Sequence, residues 1–353
     1  MTTARTSNWA AWAAPLLASA AVVGGVALWR ARQRSQRRLD GVTCVITGAS
    51  SGLGRGVALR LGAMGANVVV AARRTPLLEQ LVDEIHACGG IALAVTTDVS
   101  RADDVQRLRD ATVERFGRID IWVNNAGLGA IGPFWDIPLE DHARLVDINL
   151  GGVIHGSHIA LHQFRAQGRG TLVNVGSIES EVPLAYHASY AATKAAVLSL
   201  GRSLVQELRL AQLRDVHVAT VMPWATDTPF DRHAANHSGH SVQLPLPDGA
   251  AKAVDRIVHA CLHPQRRHLV GWKAKAAYAG HRLLPGLGDR TAARIEHALQ
   301  IERAPAAAPT SGALHAPVVD GRAVEGHVRE RMRLEANARD HDRAWDDAGA
   351  WGV

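Results

Sequence analysis

TGASSGLG, residues 47–54, lies between an apolar run of strand type, Val42–Thr47, and a segment with a helical pattern that continues through Leu61. Glycines lack a Cβ atom, so the backbone can turn sharply and approach a pyrophosphate, and the free N–H groups at a helix start attract anions. Glycines alone are weak evidence because tight turns also use them, but the flanking strand and helix predict a dinucleotide-binding loop. Its predicted cofactor contacts are Gly48, Ser50, Ser51, Gly52, Leu53 and Gly54.

The rest of the chain alternates between strand-type and helix-type segments. Short apolar runs typical of buried strands recur, and amphipathic segments of helical length separate them. This order predicts an α/β protein with a doubly wound parallel sheet in three layers and a ligand at the carboxyl ends of the strands. The later predicted strands are Val68–Ala71, Ile91–Thr96, Ile119–Val123, Gly170–Val175 and Val216–Val221.

The composition of the 353 residues favours one large domain with appendages, and the hydrophobic fraction of 47% is sufficient for a core. Cys44, Cys88 and Cys261 are widely spaced and odd in number, which fits neither a disulfide framework nor a metal site and favours a reducing compartment. The net charge of +6 is local, because five arginines between residues 30 and 38 supply most of it. We therefore expect no nucleic-acid partner.

The segment Trp9–Trp29 contains 21 residues without a charge, which as a helix would span about 31 Å, close to the hydrocarbon thickness of a bilayer. Tryptophans near its ends and the arginines after it predict a membrane helix with everything from Arg30 onward in the cytoplasm. Two alternatives stay open. The segment could be a signal peptide cleaved near Ala18-Ser19-Ala20, or a helix of a soluble protein or of a membrane surface.

These features divide the chain into three predicted regions. Residues 1–39 form the membrane anchor and a basic linker, residues 40–300 form the sheet domain, and residues 301–353 form a linker and a charged tail. The linker composition is clearest in residues 304–313, APAAAPTSGA, and Arg322–Asp347 has the charge pattern of a helix. No chemistry is assigned to the last region, so the predicted function depends on the sheet domain.

The end of the second predicted strand indicates which dinucleotide is bound. An acidic residue at this position normally accepts the ribose 2′-hydroxyl of NAD, but here Arg73 and Arg74 follow the strand. Arginine can pair with a 2′-phosphate through charge-assisted hydrogen bonds. NADP(H) is therefore the predicted cofactor, with Arg73 as its phosphate contact. Two alternatives stay open: the two arginines could be ordinary solvated charges, and the cofactor could be NAD(H).

Across roughly residues 40–230 the chain resembles the short-chain dehydrogenase/reductase superfamily, whose members have a Rossmann-type fold. The resemblance implies that Asp98 and Val99 contact the adenine end of the cofactor. It also implies that the turn after the fourth strand, with Asn125, Ala126 and Gly127 as cofactor contacts, steadies the sheet. The features that carry it are TGASSGLG, Asp98-Val99, Asn124–Gly127, Asn149, Ser177 and the run Tyr190-Ala191-Ala192-Thr193-Lys194.

Tyr190 and Lys194 are four residues apart, so on a helix their side chains share one face about 6 Å apart. A neighbouring ammonium lowers the pKa of a phenol from its usual value of about 10. The resemblance implies that Tyr190 exchanges a proton with the substrate oxygen and that Lys194 assists it and binds the nicotinamide ribose. It further implies that Ser177 binds the same substrate oxygen and that Asn149 holds a water. The predicted reaction is hydride transfer between NADP(H) and a carbonyl or secondary alcohol.

One part of the chain departs from the family pattern. Where the family usually has Pro-Gly and then a threonine for the nicotinamide carboxamide, this chain has Pro223-Trp224, followed by Thr226 and Thr228. Trp224 adds bulk near the nicotinamide or the substrate entrance. Pro223, Thr226 and Thr228 are all candidate cofactor contacts, and spacing favours Thr228 as the carboxamide ligand.

The substrate is predicted from less specific features. A membrane anchor and the apolar, basic stretch Val270–Leu287 favour a lipophilic carbonyl compound, because such molecules partition into bilayers. Glu179, Glu181 and His187 lie between Ser177 and Tyr190 and either line the substrate pocket or carry surface charge. Two other functions stay open, a non-catalytic nucleotide-sensing or scaffold protein and an NAD-preferring dehydrogenase. A homo-oligomer formed through helices that flank the sheet is a further expectation, and no metal is expected.

Overall fold

The computed structural model describes residues 39–349, with side chains to residue 339. Within these residues a seven-stranded sheet has the spatial order β11-β7-β6-β4-β1-β2-β3, and all its strand pairs are parallel. Its strands are β1 Thr43–Thr47, β2 Asn67–Ala72, β3 Ile91–Thr96, β4 Ile121–Asn124, β6 Gly170–Val175, β7 Val216–Met222 and β11 Arg267–Leu269. Short pairs are made by β5 Ala130–Ile131 with β9 Ala235–Asn236, and by β8 Thr226–Asp227 with β10 Asp248–Gly249.

Helices cover both faces of this sheet and bury two separate apolar cores. On one face Val57, Leu78 and Ile257 pack against strand residues such as Ile46. On the other face Leu108, Phe164 and Leu208 pack around Trp122. The helices are α1 Gly52–Ala63, α2 Thr75–Ala87, α3 Ala102–Phe116, α4 Leu139–Val146, α5 Gly152–Gln167, α6 Ala188–Leu210, α7 Phe230–His233, α8 Ala250–Leu262, α9 Gly271–Leu283, α10 Pro285–His297 and α11 Val328–Gly349.

The apolar runs of the sequence explain this arrangement. Strands buried on both faces need side chains of low polarity throughout, and all five residues of β1 and all six of β6 are buried. The predicted doubly wound parallel sheet and its six strands are confirmed, with boundaries that differ by two residues or fewer. Strand β11 was not predicted, because its three residues, Arg-His-Leu, show no apolar run.

The strand order places a ligand crevice between β1 and β4. From β1 the chain moves outward to β2 and β3 and then returns to the other side of β1, so the loops after β1 and β4 diverge. Ligands of open parallel sheets bind at such a switch point, outside the carboxyl ends of the strands. The glycine loop and the Asn125–Gly127 turn therefore meet at one place.

The membrane-anchored localisation predicted from the sequence has to be corrected. Among residues 39–349, no helix combines the length and the apolar character needed to cross a bilayer. The longest of these helices, α6, carries Lys194, Arg202, Glu207 and Arg209. The predicted span itself, Trp9–Trp29, lies outside the described residues, so nothing in the structure supports an anchor and the membrane assignment is withdrawn.

The region after residue 300 packs against the sheet domain. Residues 304–327 contain no helix, but Leu314 is completely buried in the core that contains Trp122. The backbone N–H of Gly52, in the glycine loop, donates to the carbonyl of Ala323 at 2.9 Å. This segment, residues 304–327, is called the C-terminal segment below, and it forms one wall of the site.

Candidate active site

A cavity of about 920 Å³ opens at the carboxyl ends of the central strands. Its size is at the upper end of the range for ligand pockets. One half is bordered by the glycine loop and the loops after β2, β3 and β4, and the other half lies beneath α9 and α10. Predicted site residues on its wall are Gly48, Ser50, Ser51, Gly52, Leu53, Arg73, Asp98, Val99, Asn125, Ala126, Gly127, Ser177, Tyr190, Lys194, Pro223, Thr226 and Thr228.

The glycine loop requires its glycines for both space and conformation. A Cβ atom on Gly48 would lie 2.7 Å from Cα of Ala126, and one on Gly54 would lie 2.4 Å from the carbonyl oxygen of Gly48. Gly48 also has φ +67°, in the left-handed region that favours glycine. The backbone is therefore packed too closely for side chains, as expected where a phosphate approaches the start of a helix.

The turn after β4 holds the glycine loop in place. The side-chain amide of Asn125 donates to the carbonyls of Thr47 at 2.9 Å and Gly48 at 3.2 Å. The backbone N–H groups of Asn125 and Ala126 both donate to the Thr47 hydroxyl. Asn125 therefore contributes to the cofactor cradle by fixing the loop across the switch point.

Arg73 and Arg74 contact the C-terminal segment. The Arg73 guanidinium donates to the carbonyls of Ala313 and Leu314. Arg74 reaches the hydroxyls of Ser50 and Ser51, at distances of 2.7 to 3.1 Å. It also donates to the carbonyls of Val318, Asp320 and Gly321.

The two arginines form a centre of positive charge that lacks a carboxylate partner among the described residues. All the hydrogen-bond acceptors that they use are uncharged, including a ring nitrogen of His233 that lies 3.5 Å from Arg74 and whose pKa is lowered by burial. Burial lowers the pKa of Arg74, and the nearby charge of Arg73 lowers it further. An anion bound here would relieve this repulsion.

Asp98 lies beside this charge but is paired with another residue. Its carboxylate accepts hydrogen bonds from Arg144 at 2.7 Å and from the Ser100 hydroxyl at 2.6 Å. Burial alone would raise the pKa of Asp98, but the hydrogen bonds from Ser100 and Arg144 lower it below its usual range. Asp98 and Val99 both reach the cavity wall, at the end predicted to hold the adenine.

Tyr190, Lys194 and Ser177 converge on the centre of the cavity. Helix α6 presents Tyr190 and Lys194 on one face, and Lys194 Nζ lies 5.7 Å from the centre of the Tyr190 ring. The Lys194 ammonium donates to the carbonyl of Val175 at 3.0 Å, at the end of β6. Ser177 follows the same strand, caps the short helix Ile178–Ser180, and lies close enough to Tyr190 to affect the pKa of its phenol.

The pKa of Tyr190 shifts in the opposite direction to the expected one. Burial raises it, the negative charge of Glu179 raises it further, and only the hydrogen bond with Ser177 lowers it. The net shift of the Tyr190 pKa is therefore upward, opposite to the net lowering that the sequence led us to expect. Burial also lowers the pKa of Lys194 to about 8, although Glu179 opposes that change.

Asn149 lies in a π-helical turn, Asp147–Gly151, beneath this centre. Its amide donates to the carbonyl of Leu128 at 2.8 Å, and its oxygen accepts from the N–H of Leu128 at 2.9 Å. A Cβ atom on Gly127 would lie 3.2 Å from the Asn149 oxygen and 3.3 Å from Lys194 Nζ. Asn149 and Lys194 therefore meet at Gly127.

Trp224 forms part of the substrate side of the cavity. Its indole N–H donates to the carbonyl of Pro245 at 2.9 Å, and its ring packs with Ile178 and Val182. The Thr226 hydroxyl donates to the carbonyl of Trp224 at 2.7 Å. Thr228 is instead buried opposite Gly52. A Cβ atom built on Gly52 would lie 3.6 Å from Cβ of Thr228. Thr226 and Thr228 both line the cavity, so the preference for Thr228 as the cofactor contact stays a prediction.

Of the three residues considered as pocket candidates between Ser177 and Tyr190, namely Glu179, Glu181 and His187, two line the cavity. Glu179 and His187 are buried in its wall, whereas Glu181 pairs with Arg202 and Arg267 away from it. His187 Nδ1 lies 3.2 Å from both carboxylate oxygens of Glu179. Sequence reasoning missed Glu296, which α10 brings to the same wall, because nothing in its local sequence distinguishes it from a surface glutamate.

The C-terminal segment is the second feature that the sequence did not reveal. Its composition is typical of a linker, yet it supplies the carbonyls bound by Arg73 and Arg74, and its Ala313, Pro317 and Val318 line the cavity. The stretch Val270–Leu287, predicted to face a lipophilic substrate, forms α9 and the start of α10. Its Ala277, Leu284 and Leu287 reach the cavity.

Comparison with known proteins agrees with this geometry. Residues 42–238 match a family model described as short chain dehydrogenase. The oxidoreductase YxnA of Bacillus subtilis, itself uncharacterized, is 34% identical over 76% of each chain. The 3beta-hydroxysteroid dehydrogenase 1 of Eggerthella lenta is 38% identical over 55% of this chain and 74% of its own length. A short chain dehydrogenase/reductase from Burkholderia phymatum, solved in complex with NAD, superposes with a TM-score of 0.64 and 27% identity, covering 71% of this chain and 96% of its own.

Proposed function

The chain belongs to the short-chain dehydrogenase family of oxidoreductases, which bind a nicotinamide cofactor, and on that premise we propose that it is an NADP(H)-dependent reductase of lipophilic ketones. The observation that carries the proposal is the convergence of Tyr190, Ser177 and Lys194 on one cavity that continues to the glycine loop. Taken singly, each residue would fit an ordinary structural role. Together, beside a dinucleotide cradle, they form an arrangement for proton transfer at a carbon that exchanges a hydride.

The residues fit a bound dinucleotide, which supplies or accepts the hydride when it is present. Gly48 and Gly54 leave no room for side chains, and Thr228 lies opposite Gly52, where a nicotinamide carboxamide is expected. A 2′-phosphate would offer Arg73 and Arg74 a charged acceptor in place of neutral carbonyls, and charge-assisted hydrogen bonds are stronger than neutral ones. The choice of NADP(H) over NAD(H) is supported by these arginines. The Burkholderia protein, by contrast, was solved with NAD.

Each catalytic side chain has one task in the proposed reduction. Tyr190 donates its proton to the substrate carbonyl oxygen as that oxygen gains negative charge, and Ser177 hydrogen-bonds the same oxygen. The phenol is protonated near neutral pH, as a proton donor must be, and because burial raises its pKa the donation depends on stabilising the phenolate that it leaves. The buried Lys194 lies beside the Tyr190 ring and can stabilise the phenolate that remains.

A lipophilic substrate is supported by the half of the cavity beneath α9 and α10. Its wall carries Val182, Leu284, Leu287, Ile295 and Leu299. Burial of apolar surface contributes roughly 25 cal/mol per Å², so such a wall favours a large apolar molecule over a small hydrophilic carbonyl compound. The Eggerthella relative is described as a hydroxysteroid dehydrogenase, which is consistent with this class of substrate.

The test is turnover of the purified chain with a panel of lipophilic ketones and small hydrophilic carbonyl compounds, each with NADPH and with NADH. We expect a higher kcat/KM for lipophilic ketones and for NADPH, measured by the absorbance of the reduced nicotinamide. Absence of turnover with every compound would favour a non-catalytic nucleotide-binding protein. Higher kcat/KM with NADH would favour an NAD-dependent dehydrogenase.

A further inference from the structure

A polar cluster lies in the otherwise apolar part of the cavity wall. It consists of Glu179 in the short helix after β6, His187 just before α6, and Glu296 near the end of α10. Exposed fractions are 8% for Glu179, 8% for His187 and 1% for Glu296. Three separate elements therefore bring ionisable side chains together out of bulk water.

His187 is bound on one side of its ring only. Its Nδ1 lies 3.2 Å from both oxygens of Glu179. Its Nε2 lies 3.7 Å from Oε1 of Glu296, which is longer than a hydrogen bond. Among the described residues, neither His187 Nε2 nor Glu296 Oε1 has a hydrogen-bond partner, although both are buried. Buried polar atoms are nearly always hydrogen-bonded, so this pair requires an explanation.

The two unpartnered atoms have complementary character. Burial alone would lower the pKa of His187, but the charge and hydrogen bonds of Glu179, with the charge of Glu296, raise it to about 9. Both ring nitrogens are then protonated near neutral pH, so Nε2 is a donor. Burial raises the pKa of Glu296 and the imidazolium of His187 opposes that change, and in its carboxylate form Glu296 Oε1 accepts. No group of three or more His, Cys, Asp or Glu side chains in the described chain could hold a metal ion. The pair is therefore suited to a polar organic group.

A hydroxyl group matches both atoms. Its oxygen can accept from the imidazolium N–H while its proton is donated to the carboxylate. Two contacts of normal length, about 2.8 Å each, fit across a separation of 3.7 Å as two sides of a triangle. A ketone oxygen could only accept, and an ammonium could only donate, so each would leave one of the two atoms without a partner.

The position of the pair relates it to the reacting carbon. The rings of His187 and Tyr190 are 6.4 Å apart, centre to centre, in an edge-to-face arrangement. Around the pair, Leu284, Leu287 and Ile295 reach the same cavity. A group bound by His187 and Glu296 would therefore lie only a few bonds from the carbonyl held by Tyr190.

We propose that His187 and Glu296 bind a second hydroxyl group of the substrate, so that the enzyme acts on apolar compounds that carry a hydroxyl a few carbons from the reacting ketone. The proposal rests on the proposed function for the position of the reacting carbon. Glu179 is a positioning residue, because it holds the His187 ring from the other side. A substrate that lacks the hydroxyl would leave the buried donor and acceptor unpaired. The enzyme would therefore bind such a substrate more weakly than a hydroxylated one.

The test compares 2-decalone with derivatives that carry one hydroxyl on the second ring, with Kd measured by calorimetry in the presence of NADP⁺. We expect at least one derivative to bind about tenfold more tightly than 2-decalone, a typical gain for hydrogen bonds with charged groups. Glu296→Met should remove that advantage, so that 2-decalone and its hydroxylated derivatives bind the variant with equal Kd. Glu296→Gln, which still accepts a hydrogen bond, should restore part of it. Glu302→Gln, an exposed carboxylate six residues later, is the matched control and should behave as wild type.

Thermal unfolding separates this role from a purely structural one. Burial raises the pKa of Glu296 and the charge of Glu179 raises it further, so its carboxylate is unfavourable in the fold, and His187 keeps Glu179 as a partner; Glu296→Met should therefore leave the unfolding temperature unchanged or raise it. A large fall would show that Glu296 serves to hold α10 in place and would overturn the proposal. Equal Kd values for 2-decalone and all its hydroxylated derivatives in wild type would also overturn it, as expected if a water bridges the pair. Preferential binding of a hydroxylated derivative without any reduction of it by NADPH would support the subsite and contradict the proposed reductase activity.

Discussion

The phenol of Tyr190 shows how far single residues could be interpreted from the sequence. The spacing to Lys194 placed both side chains on one helix face, as the structure has them. The direction of the pKa shift could not be predicted, because it depends on burial and on Glu179. Glu179 is eleven residues away in sequence, and only the short helix after β6 brings its carboxylate near the ring.

The residues at the end of β2 carry a prediction about the cofactor. Replacing Arg74 by Ala removes the guanidinium that lies against the Ser50 and Ser51 hydroxyls, where a 2′-phosphate is expected. We expect NADPH affinity to fall about 10- to 100-fold, since hydrogen bonds to charged groups contribute about 1.5 to 3 kcal/mol. NADH affinity should change less than threefold. Arg73→Ala should act in the same direction.

The measurement is the Kd of each reduced cofactor by fluorescence titration. Arg101→Ala is the control, because Arg101 is exposed and outside the cavity wall, and it should leave both affinities unchanged. Equal losses of NADPH and NADH affinity in the Arg74 variant would show that the arginine only supports the loop. That result would contradict the assignment of NADP(H).

At the level of elements, the sequence predicted the strands better than the parts that complete the site. Long apolar runs such as Gly170–Val175 are recognisable because both faces of the sheet are covered. Strand β11 and the C-terminal segment lack such a signal. They are held in place by tertiary contacts, including the carbonyls that Arg73 and Arg74 bind. Periodicity within a short window cannot reveal contacts between residues 240 positions apart.

The C-terminal segment carries a prediction about stability. Leu314 is completely buried against the core around Trp122, so Leu314→Ala would leave a cavity. We expect the free energy of unfolding to fall by about 2 to 5 kcal/mol, measured by urea denaturation. Leu210→Ala, at an exposed position, should change it by less than about 0.5 kcal/mol. A loss below about 0.5 kcal/mol at Leu314 would show that the segment does not belong to the folded core.

At the level of the whole molecule, the site is assembled from parts far apart in sequence. The central strands bring the glycine loop and the proposed catalytic residues to one edge of the sheet. Helix α10 and the C-terminal segment add further wall to the cavity, including Glu296 and Val318. The family motifs predicted the residues at the ends of the central strands. They did not predict the walls that α10 and the C-terminal segment contribute, which belong to the chain after β11.

The most direct test of the central claim is single-turnover reduction of the best ketone of the panel by Tyr190→Phe, together with the Kd of NADPH. We predict that the reduction rate falls by about 10²- to 10⁴-fold, the usual contribution of a positioned acid. The Kd of NADPH should stay within about twofold of wild type. Tyr278→Phe, which changes a tyrosine outside the cavity wall, should reduce the ketone at the wild-type rate. An undiminished rate in Tyr190→Phe would contradict the assignment of Tyr190 as the proton donor.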